Sequence, residues 1–300
     1  MQIGIDLGGS HIAVGIISER NTIIAKREID IEKDNIVDIK QYIVENIKIL
    51  ISQVLKDVGA PSCVITKIGI ATPGKVKDNV IYEVYNLGIK EFNLCEILTT
   101  HYAAEVTARN DAKCAALAEK ELGSLKEYED CVFLCLGTGI GGATFINGRM
   151  LEYTKDFGSE YGHMIIQKDG RECKCGNKGC FETYCSMKAF KQGAIKLLNL
   201  NENIESVEIV KILEKKLETD DEIVKNYIDE YLEDLLIGIS NIENILDPEA
   251  ISLGGSFTYF KDILYRRLIQ KLNEKKYNSK IPAIVLASLK NDAGMIGALL

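Results

Sequence analysis

The alternation of apolar and polar stretches predicts two similar runs of strands, each backed by helices. The first run has apolar strands at residues 3–7, 12–17 and 22–31, then a helix, then a fourth strand at residues 64–71. In the predicted helix, apolar residues recur three or four positions apart, which is the spacing of one buried helical face. These residues are Ile36, Ile39, Ile43, Ile47, Leu50, Val54 and Val58.

The second half of the chain repeats this opening. An apolar strand at residues 132–136 leads through a glycine turn into another strand at residues 140–146, and Asn147-Gly148 then signals a two-residue hairpin turn. Helices are predicted at residues 112–122, 187–198, 207–217 and 221–246, and a buried strand at residues 250–253. The repeat predicts a duplicated α/β fold with two domains and a central cleft.

The join between the copies sets the predicted domain boundaries. Residues 1–122 form an N-terminal α/β domain, to which a last helix at residues 291–300 returns. Residues 123–290 form a C-terminal α/β domain that contains a cysteine-rich loop at residues 160–182. The short polar join suits a hinge better than a flexible tether.

Composition narrows the class of protein. The 300 residues contain 36 Lys and Arg against 44 Asp and Glu, a net charge of −8, and no basic stripe, which argues against a nucleic-acid partner. The first residues lack the basic region of a signal peptide. No apolar run approaches the ~18 residues that span a bilayer. We expect a cytoplasmic protein without a membrane partner, and a homodimer as the commonest closed assembly.

The cysteine-rich loop holds a complete ligand set for a metal. Of nine cysteines, only three cluster as metal ligands would, and a histidine precedes them: His163, Cys173, Cys175 and Cys180. One histidine and three cysteines are a known tetrahedral ligand set for structural zinc. Glu160 and Glu182 lie on either side of this set. Acids beside a zinc-pinned loop suggest a site that binds a ligand rich in hydroxyl groups.

Three glycine turns follow apolar strands and are candidate phosphate sites. They are Gly8-Gly9-Ser10, Gly137-Thr138-Gly139 and Gly254-Gly255. Successive backbone N–H groups in such a turn can bind anionic oxygens, although most glycine hairpins are only hairpins. Asp6 ends the first strand, where it could hold a hydrated Mg²⁺, and Ser10 could add a hydroxyl to a phosphate.

Asp111 lies at a strand-to-helix junction directly after Asn110. Both residue types commonly cap helices, so capping is one interpretation. General-base catalysis is the other. With two polar residues side by side, one could cap the helix while the other projects into the cleft, and the residues alone leave both roles open.

These motifs together resemble the ROK family of bacterial sugar kinases and sugar-responsive repressors. The resemblance spans nearly the whole chain and rests on the motifs Asp6-Leu-Gly-Gly-Ser, Asn110-Asp111, Gly137-Thr-Gly-Ile-Gly-Gly142, Glu160-Tyr-Gly-His163, Cys-x-Cys-Gly-x-x-Gly-Cys-x-Glu182 and Leu253-Gly-Gly-Ser. It implies an actin-like ATPase (ribonuclease-H-like) fold in which ATP and a hexose meet in the cleft.

The resemblance also implies a role for each position. Asp111 would be the catalytic base, and the three glycine turns with Asp6 would bind ATP and Mg²⁺. His163 would bind zinc with the three cysteines, using one ring nitrogen, and would present the other to the sugar. The implied sugar contacts are Gly74, Asn110, Asp111, Glu160, His163 and Glu182.

Three positions depart from the family pattern. The first turn continues Ser10-His11 where the family commonly has threonine and lysine, which weakens the case for a cationic phosphate contact. Ser159 replaces a common glycine before Glu160. The segment from Asn86 to Gly88 resembles the family's substrate-side loop without its usual tryptophan.

The sequence therefore predicts an ATP-dependent hexose kinase that phosphorylates a free sugar, at the C6 hydroxyl, with glucose as first choice and N-acetylmannosamine as second. The alternative is a sugar-sensing ROK regulator without catalysis. The family's repressors carry a DNA-binding segment before the first glycine turn. Here that turn comes directly after Asp6 and Leu7, so we expect no such segment before it. A purely structural zinc protein ranks last, since it leaves the glycine turns unexplained.

Overall fold

The computed structural model describes residues 1–32, 36–61, 64–153, 158–274 and 281–300. The chain divides into two compact units, one of Met1–Gly123 with Asn291–Leu300 and the other of Ser124–Lys290. Each unit has its own hydrophobic cluster around a five-stranded sheet. Within the described ranges, no helix is long and apolar enough to cross a membrane.

The first unit combines a five-stranded sheet with a small second sheet. The strands of the large sheet are β1 (Gln2–Leu7), β2 (His11–Ile17), β3 (Ile23–Asp30), β4 (Lys67–Thr72) and β8 (Glu105–Asn110). The small sheet consists of β5 (Lys75–Lys77), β6 (Val80–Val84) and β7 (Ile89–Phe92). The helices are α1 (Ile39–Asp57), α2 (Leu94–Tyr102), α3 (Asp111–Leu122) and, from the end of the chain, α9 (Ala293–Gly297).

The strand order of the large sheet, β3-β2-β1-β4-β8, gathers polar residues at one edge. β1 pairs antiparallel with β2 and parallel with β4, which pairs parallel with β8. Because parallel strands end at the same edge, Asp6 lies opposite Ala71, and Thr72 lies opposite Asn110. Ligands of α/β sheets bind outside these carboxyl ends.

The second unit repeats this topology. Its strands are β9 (Cys131–Leu136), β10 (Ile140–Ile146), β11 (Arg149–Met150), β12 (Ala250–Gly254) and β13 (Ala283–Leu286). Their order is β11-β10-β9-β12-β13, with the same pattern of antiparallel and parallel pairs. The helices are α4 (Glu182–Cys185), α5 (Met187–Leu198), α6 (Ser206–Glu218), α7 (Glu222–Leu246) and α8 (Lys261–Glu274). The predicted duplication is confirmed.

Two predicted elements begin three residues later in the structure. The first helix begins at Ile39 because Asp38 caps it, accepting hydrogen bonds from the backbone N–H groups of Lys40 and Gln41 at 2.9 and 3.1 Å. The fourth strand begins at Lys67, not Val64, because the Val64 N–H bonds back to the Pro61 carbonyl at 3.3 Å.

Candidate active site

Asn110 and Asp111 divide two roles at the start of α3. The Asn110 side-chain oxygen accepts hydrogen bonds from the N–H groups of Ala112 and Lys113 at 3.1 and 3.3 Å, which caps the helix. Its amide donates to the carbonyl of Gly74 at 3.1 Å. Asp111 is the first helical residue, and its Oδ1 accepts from the Ala112 N–H at 2.7 Å. Since Asn110 is the cap, the helix does not need Asp111 for that purpose.

The environment of Asp111 suits a proton acceptor. Burial raises the pKa of Asp111 from 3.8 to about 6, a rise that the hydrogen bond from Ala112 opposes and the charge of Asp6 reinforces. The carboxylate is therefore ionised at neutral pH and basic enough to take a proton. A general base works best when its pKa lies near the operating pH.

Asp6 lies beside His11 at the first glycine turn. The turn is closed by a hydrogen bond from the Gly8 N–H to the His11 carbonyl at 2.9 Å. The Nε2 atom of His11 lies 3.7 Å from Oδ2 of Asp6, and this interaction raises the pKa of His11 despite the opposing effect of burial. His11 thus faces a carboxylate. A cavity of about 300 Å³ adjoins the turn, lined by Asp6, Ser10, His11, Ala13, Lys26, Glu28, Ile29, Asp30 and Asn291.

The small sheet approaches the same turn. A Cβ added to Gly9 would lie 3.3 Å from Cβ and Nδ2 of Asn86, in the turn between β6 and β7. Gly74, which enters this sheet, has φ of +88°, and an added Cβ would lie 2.4 Å from the Tyr82 carbonyl oxygen. Gly74 is thus required by local packing, while its carbonyl anchors the cap Asn110. The family resemblance placed Asn86 in the substrate-side loop but did not predict its contact with Gly9.

The two glycines of the second glycine turn, Gly137 and Gly139, have different surroundings. The Gly137 N–H donates to the Gly139 carbonyl at 2.9 Å, and Thr138 at the tip is exposed. Among the described residues, apart from its two chain neighbours, none has a heavy atom within 4 Å of a Cβ built on Gly137. A Cβ on Gly139 would lie 2.5 Å from Oε2 of Glu182. A ligand can therefore approach Gly137, whereas the space beside Gly139 is filled by the Glu182 carboxylate.

The third glycine pair is not a strand–turn–strand unit. Gly254 ends β12, and Gly255 begins a 3-10 turn at Gly255–Phe260 that leads into α8. Gly255 has φ of +68°, and an added Cβ would lie 2.6 Å from the Leu136 carbonyl oxygen. In the duplicated topology, this pair occupies the position that Thr72–Gly74 occupies after β4. As predicted, the pair follows a buried strand, and the chain then continues into α8.

The predicted metal ligands form one cluster. The ligand atoms of His163, Cys173, Cys175 and Cys180 all lie within 4.8 Å of one another. His163 Nδ1 lies 3.7 Å from the Cys173 sulfur, and the sulfurs of Cys175 and Cys180 are 3.6 Å apart. A tetrahedral site with Zn–S bonds of about 2.3 Å separates two sulfurs by about 3.8 Å. The cluster is compatible with structural zinc in both donor type and spacing.

Backbone hydrogen bonds bring the two ends of the loop together. The Phe181 N–H donates to the Met164 carbonyl at 2.7 Å, and the Ile166 N–H donates to the Gly179 carbonyl at 2.9 Å. These bonds place His163 next to Cys180 and the following Glu182. Glu182 Oε1 lies 3.9 Å from His163 Nδ1 and accepts a hydrogen bond from the Cys173 thiol at 3.2 Å. Glu160 is exposed and directly precedes the 3-10 turn Tyr161–His163.

Solved structures resemble this chain over its full length. A ROK hexokinase from Thermus thermophilus matches with a TM-score of 0.81 and 25% identity, covering 99% of this chain and 96% of that one. A ROK glucokinase from Streptomyces griseus, solved with glucose and AMPPNP, matches with a TM-score of 0.80 and 22% identity, covering 99% and 97%. The predicted actin-like ATPase fold is confirmed.

Relatives of two functional kinds match this sequence. A glucokinase of Halalkalibacterium halodurans is 28% identical, over 98% of this chain and 92% of the relative. An N-acetyl-D-glucosamine kinase of Photobacterium profundum is 28% identical, over 99% and 98%. A xylose repressor of Caldicellulosiruptor bescii is 26% identical, over 99% of this chain and 76% of the repressor. The model of the ROK family matches residues 2–300, and the chain accordingly belongs to the ROK family.

Proposed function

We propose that this protein is an ATP-dependent kinase that transfers a phosphoryl group to a hydroxyl, the C6 hydroxyl first, of a free hexose. The observation that carries the proposal is the state of Asp111, a carboxylate that is not needed as helix cap and whose pKa burial raises to about 6. Relatives named glucokinase and N-acetyl-D-glucosamine kinase support the reaction class.

In the proposed reaction, Asp111 accepts the proton of the attacking hydroxyl. Phosphoryl transfer depends mostly on positioning and on neutralising charge. Asn110 contributes to the positioning of Asp111, because it caps the start of α3 and also donates a hydrogen bond to the Gly74 carbonyl. The N–H groups of the turns Gly8–Ser10 and Gly137–Gly139 would bind phosphate oxygens, with Gly137 offering the open approach. We assign Gly254 and Gly255 to the same nucleotide set.

The donor set around Asp6 fits Mg²⁺, which takes one or two carboxylates and keeps several waters and phosphate oxygens as further ligands. Asp6 lies at the carboxyl end of β1, beside the turn and the adjoining cavity. Bound there, the ion would neutralise phosphate charge. His11 faces the same carboxylate, so it would have to give way when Asp6 binds a cation.

The zinc cluster would shape the sugar side of the site. With His163 Nδ1 in the cluster, Nε2 is left for a sugar hydroxyl. A zinc-bound Cys173 thiolate no longer donates to Oε1 of Glu182, so that oxygen becomes available as an acceptor. Glu160 would add a second carboxylate acceptor. We propose one structural zinc ion held by His163, Cys173, Cys175 and Cys180.

A sugar-binding regulator is the second candidate, because the xylose repressor also matches 99% of this chain. Turnover separates the two functions. The test is a coupled ADP-release assay with ATP and Mg²⁺ against glucose, N-acetylmannosamine, N-acetylglucosamine, fructose, allose and xylose. Sugar-dependent ADP release supports the kinase. Binding of a sugar by calorimetry without ADP release would overturn it in favour of the regulator.

The sugar contacts predict a requirement for the anomeric hydroxyl. Glu160, His163 and Glu182 form a group of acceptors suited to free hydroxyls near that end of the ring, so we expect glucose ahead of N-acetylmannosamine and glycosides to be poor substrates. Once a bound hexose covers these acceptors, leaving one of them unpaired costs about 1–3 kcal/mol, so 1-deoxyglucose should have a kcat/KM about 5- to 150-fold lower than glucose. Equal rates with methyl glucoside and glucose would contradict this orientation.

Activity should also depend on pH through Asp111. The base acts only when ionised, and its pKa is raised to about 6. We therefore expect kcat/KM to be level above about pH 7 and to fall about tenfold per pH unit well below pH 6. A pH–rate profile between pH 5 and 8, with zinc content checked at each pH, measures this. A profile that stays level down to pH 5 would remove Asp111 as the base.

A further inference from the structure

Glu182 rests against the second glycine turn. Its Oε2 lies 2.5 Å from where a Cβ of residue 139 would be, and its Cδ lies 3.6 Å from the same point. Gly139 therefore has no space for even a methyl group while Glu182 keeps this position. A residue predicted to bind phosphate is in contact with a residue predicted to bind sugar.

The other oxygen of Glu182 lies against the cluster on the opposite side. Oε1 is 3.2 Å from the Cys173 sulfur and 3.9 Å from Nδ1 of His163. The backbone of Glu182 is fixed as well, since its carbonyl accepts from the Ser186 N–H at 3.1 Å in α4. The carboxylate is thus confined between the proposed zinc cluster and Gly139, and about a quarter of its side chain is exposed.

The type of neighbour distinguishes Gly139 from Gly142 and Gly162, two close-packed glycines of this unit. A Cβ on Gly142 or Gly162 would meet a backbone carbonyl oxygen, at Phe133 or Ile140, so substitution there would disturb the sheet. At Gly139 the neighbour is the end of a flexible side chain. An added methyl group can be accommodated by moving the carboxylate, without moving the backbone.

We propose that Gly139 is a positioning residue of the sugar site, which sets hexose affinity by seating the Glu182 carboxylate. The inference rests on the proposed function of Glu182 as a sugar contact. It gives the second glycine turn two separate tasks. The N–H groups of the turn stay with the nucleotide, with the open approach at Gly137, while the Cα side of Gly139 serves the sugar through Glu182. The first unit has a similar contact, where Asn86 lies against Gly9.

Gly139→Ala and Gly137→Ala form a matched pair that tests this assignment. Each adds one methyl group to the same turn. Isothermal titration calorimetry would measure the Kd of glucose, or of the hexose that the panel prefers, and separately the Kd of AMPPNP with Mg²⁺. We expect Gly139→Ala to weaken hexose binding at least about 5-fold, the lower limit for leaving an acceptor unpaired beneath the bound sugar, with nucleotide binding within about 2-fold. Gly137→Ala should leave the hexose Kd within about 2-fold of wild type.

A double-mutant cycle with Glu182→Asp then tests the contact itself. The shorter carboxylate no longer reaches Gly139, so the added methyl group should change the hexose Kd less than about 2-fold in that background. Zinc content and melting temperature of Gly139→Ala should match wild type, which separates positioning from misfolding. Unchanged hexose affinity in Gly139→Ala, or an equal effect in both backgrounds, would overturn the inference. A wild-type protein that binds no hexose would instead overturn the proposed function.

Discussion

Asp111→Asn is expected to lower kcat by about 10²-fold or more, the usual contribution of a general base. Asparagine has the same shape as aspartate but cannot accept the hydroxyl proton at neutral pH. The helix start should persist, because Asn110 supplies the cap through its bonds to the N–H groups of Ala112 and Lys113. Steady-state kinetics with the preferred hexose, and calorimetric Kd values for both substrates, measure the loss and assign it to turnover.

The same variant should be at least as stable as wild type above pH 6. The Asp111 carboxyl has its pKa raised from 3.8 to about 6 by burial, so the folded protein binds this proton more tightly than the unfolded chain. Ionisation therefore destabilises the folded state progressively as the pH rises from about 4 to 6. Asparagine removes that cost, and urea unfolding at pH 7 tests it.

Asp221→Asn is the matched control for Asp111→Asn. Asp221 caps α7 by accepting from the N–H groups of Ile223 and Val224, and asparagine caps nearly as well. Its kcat should equal that of wild type. Turnover of Asp111→Asn within about 3-fold of wild type would reject Asp111 as the base.

Cys175→Ser is expected to abolish zinc binding and activity together. Protein purified without added zinc should contain close to one equivalent of zinc, measured by plasma mass spectrometry. Loss of a thiolate ligand opens the tetrahedral set, and zinc-dependent loops lose order without their metal. The loop then no longer holds His163 and Glu182, whose Nδ1 and Oε1 atoms lie 3.9 Å apart beside the cluster. Hexose affinity should fall further than nucleotide affinity.

Cys95→Ser is the control for the replacement of a cysteine by serine as such. Cys95 is buried in α2, outside the cluster, and its serine variant should retain zinc and hexose binding. A Cys175→Ser protein that lacks zinc but keeps wild-type activity would show that the metal does not support the site. Wild-type protein free of zinc and fully active would exclude the structural zinc altogether.

Strong local patterns in the sequence predicted much of the fold. The strands around Ile3–Leu7 and Val132–Leu136, each followed by glycine and a second strand, indicated the duplication because a buried strand and a tight turn are local features. The cluster of one histidine and three cysteines could be predicted for the same reason, since its residues lie within one loop. The apolar pattern did not predict β5–β7, whose three to five residues are too few for a periodicity.

The roles of neighbouring polar residues required tertiary structure. The residues Asn110 and Asp111 left capping and catalysis open, and only the hydrogen bonds of Asn110 assign it the cap. The pKa of Asp111 depends on burial and on Asp6, which is distant in sequence.

The roles of Gly137 and Gly139 also required the tertiary structure. By itself the sequence determined the duplicated α/β fold, the glycine turns and the histidine–cysteine cluster, because each depends on residues close together along the chain. It treated Gly137 and Gly139 alike. The tertiary structure decided that one faces open space and the other a carboxylate, because that difference depends on Glu182, which packing brings to the turn from a distant segment.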